Sequence, residues 1–362
     1  MCYIGQSLSP GSARTRKVVA RQKGVVITAL LANKKSMTKL RISIVEFLNT
    51  APLVWGFTDG PLRGRYELSF TVPSLCAEAL RSGQVDVAII PAIEYQRMNG
   101  MVVLPEMAVA AKGEVRSILV LAKKPIEQAK RIALDTDSRS SVALTRLLCK
   151  GFWRIAPEFI DAAPNPAAML AEADAALVIG DPALHIRLKV DALLAKAANG
   201  TVDAKGCGCP DEASPKQDQI VPGVDTLFVY DVAEQWREMT GKPCVLAIWV
   251  GRRDVITPEV VADFLASKAY GLARIGEIAE AASLKLQLPP RDLEIYLRDN
   301  IDFSLDAVNL EGLELYFRQC AAAGLIPEAK PMEFATLPSE AVRQAPLGRV
   351  GPALAGRAQG SR

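Results

Sequence analysis

Three short segments, each placed where an apolar strand gives way to a helix, carry the side chains best suited to chemistry. Leu48-Asn-Thr-Ala-Pro-Leu53 sets an amide, Asn49, beside a hydroxyl, Thr50, with Pro52 placed to begin a helix. Such residues either cap the helix or face a ligand, and spacing alone leaves both open. Asp135-Thr-Asp-Ser-Arg-Ser-Ser141 is richer. The hydroxyls of Ser138, Ser140 and Ser141, the cation of Arg139 and the free N–H groups of a helix start make a receptor for an anion, a carboxylate above all. A capping cluster around Ser138 is the plainer alternative, and one arginine with three serines exceeds what capping requires. In Gly180-Asp181-Pro182, Asp181 either caps the next turn or faces the same space.

Other chemistries lack their residues. His185 is the sole histidine, so a Ser-His-Asp triad would depend on it entirely, and no G-x-S-x-G surrounds a serine. A lone histidine is more often a packed or surface residue. Neither a P-loop nor a G-x-G-x-x-G is present, which argues against bound ATP or NAD. Cys207 and Cys209 form a C-x-C in a polar stretch with no second Cys/His pair, short of the three or four ligands zinc needs. The expectation is a reaction without cofactor or metal.

The elements that must position these turns read as two similar α/β units, each with a largely parallel sheet. In the first, Arg41–Val45, Tyr66–Val72 and Val85–Ile90 are strands, with a helix from Pro73-Ser74, Ser74 as its N-cap, to Gly83. After Val102–Ala111 the pattern restarts. Arg116–Ala122, Arg131–Leu134, Glu158–Asp161 and Ala175–Ile179 read as strands, with helices from Ser138 and over Pro166–Ala173. Residues 189–223 look like a long surface excursion. Leu227–Tyr230 and Cys244–Val250 add strands, and the remainder is helical over Pro258–Ile278, Arg291–Arg298 and Asp306–Ala323. The expected organisation is a first domain from 40–111 plus 245–325 and a second from 112–244 with an insertion near 189–223. A flexible tail over 338–362 completes it, with ligands held in the cleft between domains.

The 362 residues are half hydrophobic and 23% charged, enough for a substantial core and two domains. No apolar run reaches the ~18 residues of a membrane-spanning helix. The net charge of +3 averages unlike regions. Residues 1–36 hold seven Lys/Arg and residues 341–362 four Arg, neither with an acid. Of the chain's 43 bases and 40 acids, the 304 residues between keep 32 and 40, a net of −8, so the body does not read as a nucleic-acid binder. The basic start with Gly24–Ala32 faintly resembles a signal peptide. The plainer reading starts translation at Met37 and leaves 1–36 untranslated or disordered. Seven cysteines, mostly in apolar contexts, suit reduced thiols and a cytoplasmic location.

The informative turns also recur together in a known family. Phe47-Leu-Asn-Thr-Ala-Pro-Leu53, Asp86–Pro91, Arg116-Ser117, Asp135-Thr-x-Ser-Arg-x-Ser-x-Ala-Leu144 and Ile179-Gly-Asp-Pro-Ala-Leu184 are joined by Trp236…Thr240-Gly-x-Pro243 and Glu311-Gly-Leu…Tyr316-Phe317. Over about 40–325 their order and spacing resemble the chorismate dehydratases of the futalosine route to menaquinone. The resemblance implies a two-domain fold like type II periplasmic binding proteins with a helical C-terminal segment. It also implies loss of water from chorismate to give 3-[(1-carboxyvinyl)oxy]benzoate. By carry-over, Asn49 and Thr50 would lie against the reacting ring. Ser138, Arg139, Ser140 and Ser141 would hold a carboxylate, with Arg116 and Ser117 near the crossover and Asp181 on the substrate side. Ala92 stands where relatives often have Ser, and the 189–223 stretch departs as an insertion. The competing readings are a solute-binding protein for a small carboxylate and the sister 1,4-dihydroxy-6-naphthoate synthase. That synthase opens on a Ser-Pro-Cys-Pro-Asn-Asp type motif and uses a histidine with no evident counterpart here.

Overall fold

The computed structural model describes residues 39–198 and 226–340, except the side chains of 196–198. Two five-stranded mixed sheets share one pattern. The first takes the order β2 (Glu67–Thr71), β1 (Arg41–Val45), β3 (Val87–Pro91), β10 (Cys244–Arg252), β4 (Met101–Ala111). The second runs β7 (Glu158–Ala162), β6 (Arg131–Asp135), β8 (Ala175–Ile179), β5 (Ile118–Ala122), β9 (Phe228–Asp231). In each, three parallel strands are extended by two antiparallel pairings, β3–β10–β4 and β8–β5–β9. Four of the five strands in each sheet run the same way, as expected of largely parallel sheets, and one, β10 or β5, runs against them. The antiparallel members are the strands next to the two passages of the chain between sheets, which must return against the direction they left.

The strands that place the site were legible because both their faces are buried: β3, β5 and β8 are apolar throughout and fully covered. Helix α2 (Pro73–Arg81) corrects the reading of its start. Its N-cap is Val72, and Ser74 makes no cap bond; the fixed φ of Pro73 at the first position begins the helix. Helix α4 (Ser140–Gly151) buries Leu144, Leu147 and Leu148 on one stripe. Helix α5 (Pro166–Glu172) is capped by Asn165 Oδ1, 3.0 Å from the Ala168 amide. Helix α6 (Gly180–Ala198) runs well into the stretch read as a surface excursion, whose remainder, with Cys207 and Cys209, lies outside the described residues.

The helical region after β10 also differs in detail. The single helix expected over Pro258–Ile278 is two, α8 (Pro258–Leu272) and α9 (Ile275–Leu286). Then come α10 (Pro290–Ile295), a π-helical turn over Tyr296–Asn300, and α11 (Ala307–Ala322) capped by Asp306. Helix α8 packs so closely on α1 (Ala51–Thr58) that a Cβ at Gly271 would sit 2.1 Å from Pro52 O, and Ser267 Oγ donates to Leu53 O at 2.9 Å. That contact fixes the helix directly after Asn49 and Thr50. Between the sheets, Asp231 caps α7 (Val232–Thr240) and also accepts from the Val115 and Arg116 amides, tying the outgoing crossover to the second sheet. Trp236 Nε1 donates to Pro243 O at 3.0 Å and pins the returning one.

Candidate functional site

The carboxyl ends of β1, β3 and β8 meet around a cavity of about 60 Å³ between the two sheets, where the doubly wound pattern directs strand-to-helix turns from both lobes. Of the residues expected there, Asn49, Thr50, Ser138, Arg139, Ser140 and Ser141 all line it. Gly180 closes the far wall: its φ is +70°, and an added Cβ would lie 2.6 Å from the Phe47 ring, so only glycine lets that ring pack there.

The capping alternatives do not account for these side chains. Thr50 stands at the N-cap of α1 yet makes no cap bond. Its hydroxyl lies 2.6 Å from Val45 O and 2.9 Å from Phe47 O and donates to these carbonyls, holding the turn. Helix α4 has Arg139 as its N-cap residue, again with no side-chain cap bond. Its first N–H groups lack intrahelical partners and point, with the helix dipole, at the cavity end. Ser140 Oγ accepts from the Ile93 amide at 3.3 Å, joining the turns of both lobes. The Arg139 side chain is exposed and has no carboxylate partner among the described residues. Arg139 is also the one ionisable residue on the cavity wall among those described.

Three expected residues stand elsewhere. Arg116, with a left-handed φ of +62°, pairs its guanidinium with Asp191 and lies 3.6 Å from Glu114, off the cavity wall. Ser117 is buried one layer behind, accepting from the Tyr296 hydroxyl at 2.8 Å. Asp181 accepts from the Leu48 amide at 2.9 Å and faces a second cavity of about 380 Å³ on the other side of Phe47, lined also by Trp55, Ile278 and Lys285. Burial pushes the Asp181 carboxyl up to about 6, and does the same to Asp135 beneath the Ser138 turn. His185, in α6, lines neither cavity, and burial lowers its pKa. Tyr296 was not singled out in the sequence; a tyrosine in a helical stretch reads as core, and its buried hydroxyl, bonded to Ser117, is what distinguishes it. Among the described residues no group of three His, Cys, Asp or Glu is placed to hold a metal ion, and no helix is long and apolar enough to cross a membrane.

Two mixed sheets that exchange the chain twice, with turns converging between them, define a periplasmic-binding-protein-like fold. The structure resembles a protein of Archaeoglobus fulgidus (TM-score 0.59, 18% identity, covering 80% of this chain and all of that one). It also resembles the periplasmic aliphatic sulphonate binding protein of Escherichia coli (TM-score 0.51, 16% identity, 90% and 98% covered). The alkanesulfonate-binding protein of Xanthomonas axonopodis is similar in the same way (TM-score 0.52, 15% identity, 81% and 95% covered). At these identities the likeness is one of fold. The chain belongs to the menaquinone biosynthesis family, whose model matches residues 40–197 and 221–322. It is 27% identical over 281 residues to the chorismate dehydratase of Thermus thermophilus, covering 76% of this chain and 93% of that protein.

Proposed function

We propose that the protein is a chorismate dehydratase, a lyase that eliminates water from chorismate to give 3-[(1-carboxyvinyl)oxy]benzoate. The observation that carries this reading is the cavity wall itself. An anion receptor made of Arg139, Ser138, Ser140, Ser141 and the α4 N-terminus faces the amide of Asn49 from the other lobe. Family membership and the dehydratase relative support it.

The reaction breaks the ring C–O bond to hydroxyl and one ring C–H bond; the C–H electron pair completes the aromatic ring, and proton and hydroxyl leave as water. Aromatisation makes this downhill, so the protein's task is to hold and orient. Arg139 and the α4 amides hold a carboxylate, and Asn49 lies against the ring hydroxyl. With no Asp, Glu, His, Lys or Cys on the described wall, the proton acceptor is the substrate's own carboxylate.

Purified protein incubated with chorismate should convert it to the aromatic enol ether with loss of one water, resolved by chromatography and mass spectrometry. Tight binding of chorismate with no product would replace this reading by that of a solute-binding protein.

A further inference from the structure

The cavity on the other side of Phe47 has the size and the wall of a binding site in its own right. Its volume, about 380 Å³, exceeds the ~150 Å³ that holds a benzene ring and falls within the ~300–1,000 Å³ of small-molecule sites. Phe47, packed so tightly on Gly180 that no Cβ would fit, stands between it and the cavity lined by Asn49. Helices α1 and α9 supply Val54, Trp55, Ile278 and Leu286 to a largely apolar wall. Asp181 joins them from the second lobe. Its Oδ1 accepts from the Leu48 amide at 2.9 Å, the one hydrogen bond of this side chain among the described residues. Oδ2 is therefore left as an acceptor.

The charges on this wall select the ligand. Its ionisable residues are Glu46, Asp59, Asp181 and Lys285, three carboxylates against one ammonium. That ammonium is already engaged, with Lys285 Nζ 2.8 Å from Glu46 Oε1. Asp59 and Asp181 make no ion pair among the described residues, so the wall is net acidic. The first cavity is the reverse, with Arg139 as its ionisable residue. A dicarboxylate drawn to one is repelled by the other. We infer that the second cavity is a separate binding site for a small apolar ring carrying an amine, its ring packed against Phe47 and Trp55 and its ammonium hydrogen-bonded to Asp181. A charged donor on a carboxylate makes one of the stronger hydrogen bonds. The faces of aromatic rings add attraction for a cation. Neither the site nor its ligand depends on the proposed reaction.

Trp55 gives the readout. Titration of the full chain with benzylamine should change tryptophan fluorescence saturably, and Trp55→Phe should lose that signal while calorimetry still shows binding. Asp181→Asn keeps an oxygen for the Leu48 amide and removes the charge. It should weaken benzylamine about tenfold or more, the worth of one charge-assisted bond. Ala281 lies on this wall at an exposed position of α9. Ala281→Phe should therefore fill the cavity and abolish binding with an unchanged thermal melt. In Arg139→Gln, where the first cavity has lost its cation, benzylamine should bind as in wild type and benzoate should not. No saturable binding of benzylamine to folded wild type overturns the inference. So does wild-type affinity in folded Asp181→Asn or Ala281→Phe, or benzoate that binds Arg139→Gln as tightly as benzylamine. Affinity for benzylamine lost in Arg139→Gln places the amine in the first cavity and overturns it equally. Wild-type protein that leaves chorismate intact overturns the proposed function instead, and these titrations still decide the second site.

Discussion

Arg139 is exposed at a helix start, with no carboxylate partner among the described residues. Removing its charge should therefore leave folding within about 0.5 kcal/mol of wild type. A charge-assisted bond to a carboxylate is worth roughly 1.5–3 kcal/mol, so Arg139→Gln should raise KM by about tenfold or more with an unchanged melting curve. Arg116 offers the contrast: its cation is already engaged with Asp191 and Glu114, and its removal should act on stability more than on binding. Asp135 gives a prediction in pH. It is 2% exposed, and burial raises its carboxyl from 3.8 to about 6. The folded protein then binds this proton more tightly than the unfolded chain. The stability it contributes is present below about pH 4 and is lost as pH rises through 6. Asp135→Asn keeps an oxygen for the Asp137 amide, 2.8 Å away, and removes the titration. Unfolding measured from pH 4 to 7 should show a smaller decline in this variant, by on the order of 3 kcal/mol if the whole shift is expressed.

At the scale of elements, Gly180 is where helix α6, strand β8 and the Phe47 turn are forced together. Gly180→Ala places a Cβ 2.6 Å from Phe47 and imposes a left-handed φ of +70° on an L-residue. The backbone strain alone is about 1–2 kcal/mol. Melting should fall by at least that amount, and turnover should fall with it because the Phe47 ring must shift beside Asn49. The same junctions show what sequence pattern can carry. Strands such as Val87–Pro91 and Ala175–Ile179 were legible because burial on both faces demands an unbroken apolar run, and the turns after them because helix starts select Ser, Asn, Thr and Pro. The direction of β5 and β10 was not, since an apolar strand has the same composition in either direction. The extension of α6 through Lys189–Ala198 was lost because a polar, alanine-rich helix has a weak stripe. Asn49, Thr50 and Ser138–Ser141 were found as turn residues, while Tyr296 was hidden by having the composition of core. Arg116, Ser117 and Asp181 were read near the ligand because they sit at the right strand ends, and their side chains reach Asp191, Tyr296 and the Leu48 amide.

For the whole molecule, charge and size constrain how a ligand arrives. Residues 37–340 carry a net −8, so a dicarboxylate gains nothing from that field and must be captured by local groups in the cleft. The inner cavity, about 60 Å³, is smaller than the ~150 Å³ that accommodates a benzene ring. A ring with two carboxylates needs more room than this cavity has, and parting of the lobes about the crossovers near Asp231 and Pro243 is the movement expected to admit it. X-ray scattering from Asn49→Ala, a variant expected to bind without turning over, should give a smaller radius of gyration with chorismate than without. An identical radius would place uptake in a local movement, such as rotation of Phe47 towards the second cavity.

The most direct test of the central claim sets wild type and Asn49→Ala side by side with chorismate, following the aromatic product by absorbance and mass spectrometry. Wild type should release 3-[(1-carboxyvinyl)oxy]benzoate without added metal or cofactor, while the variant, with an unchanged melting curve, should release none. Intact chorismate after incubation with wild type, or a variant that keeps pace with it, would contradict the assignment of this cavity as the site of water loss.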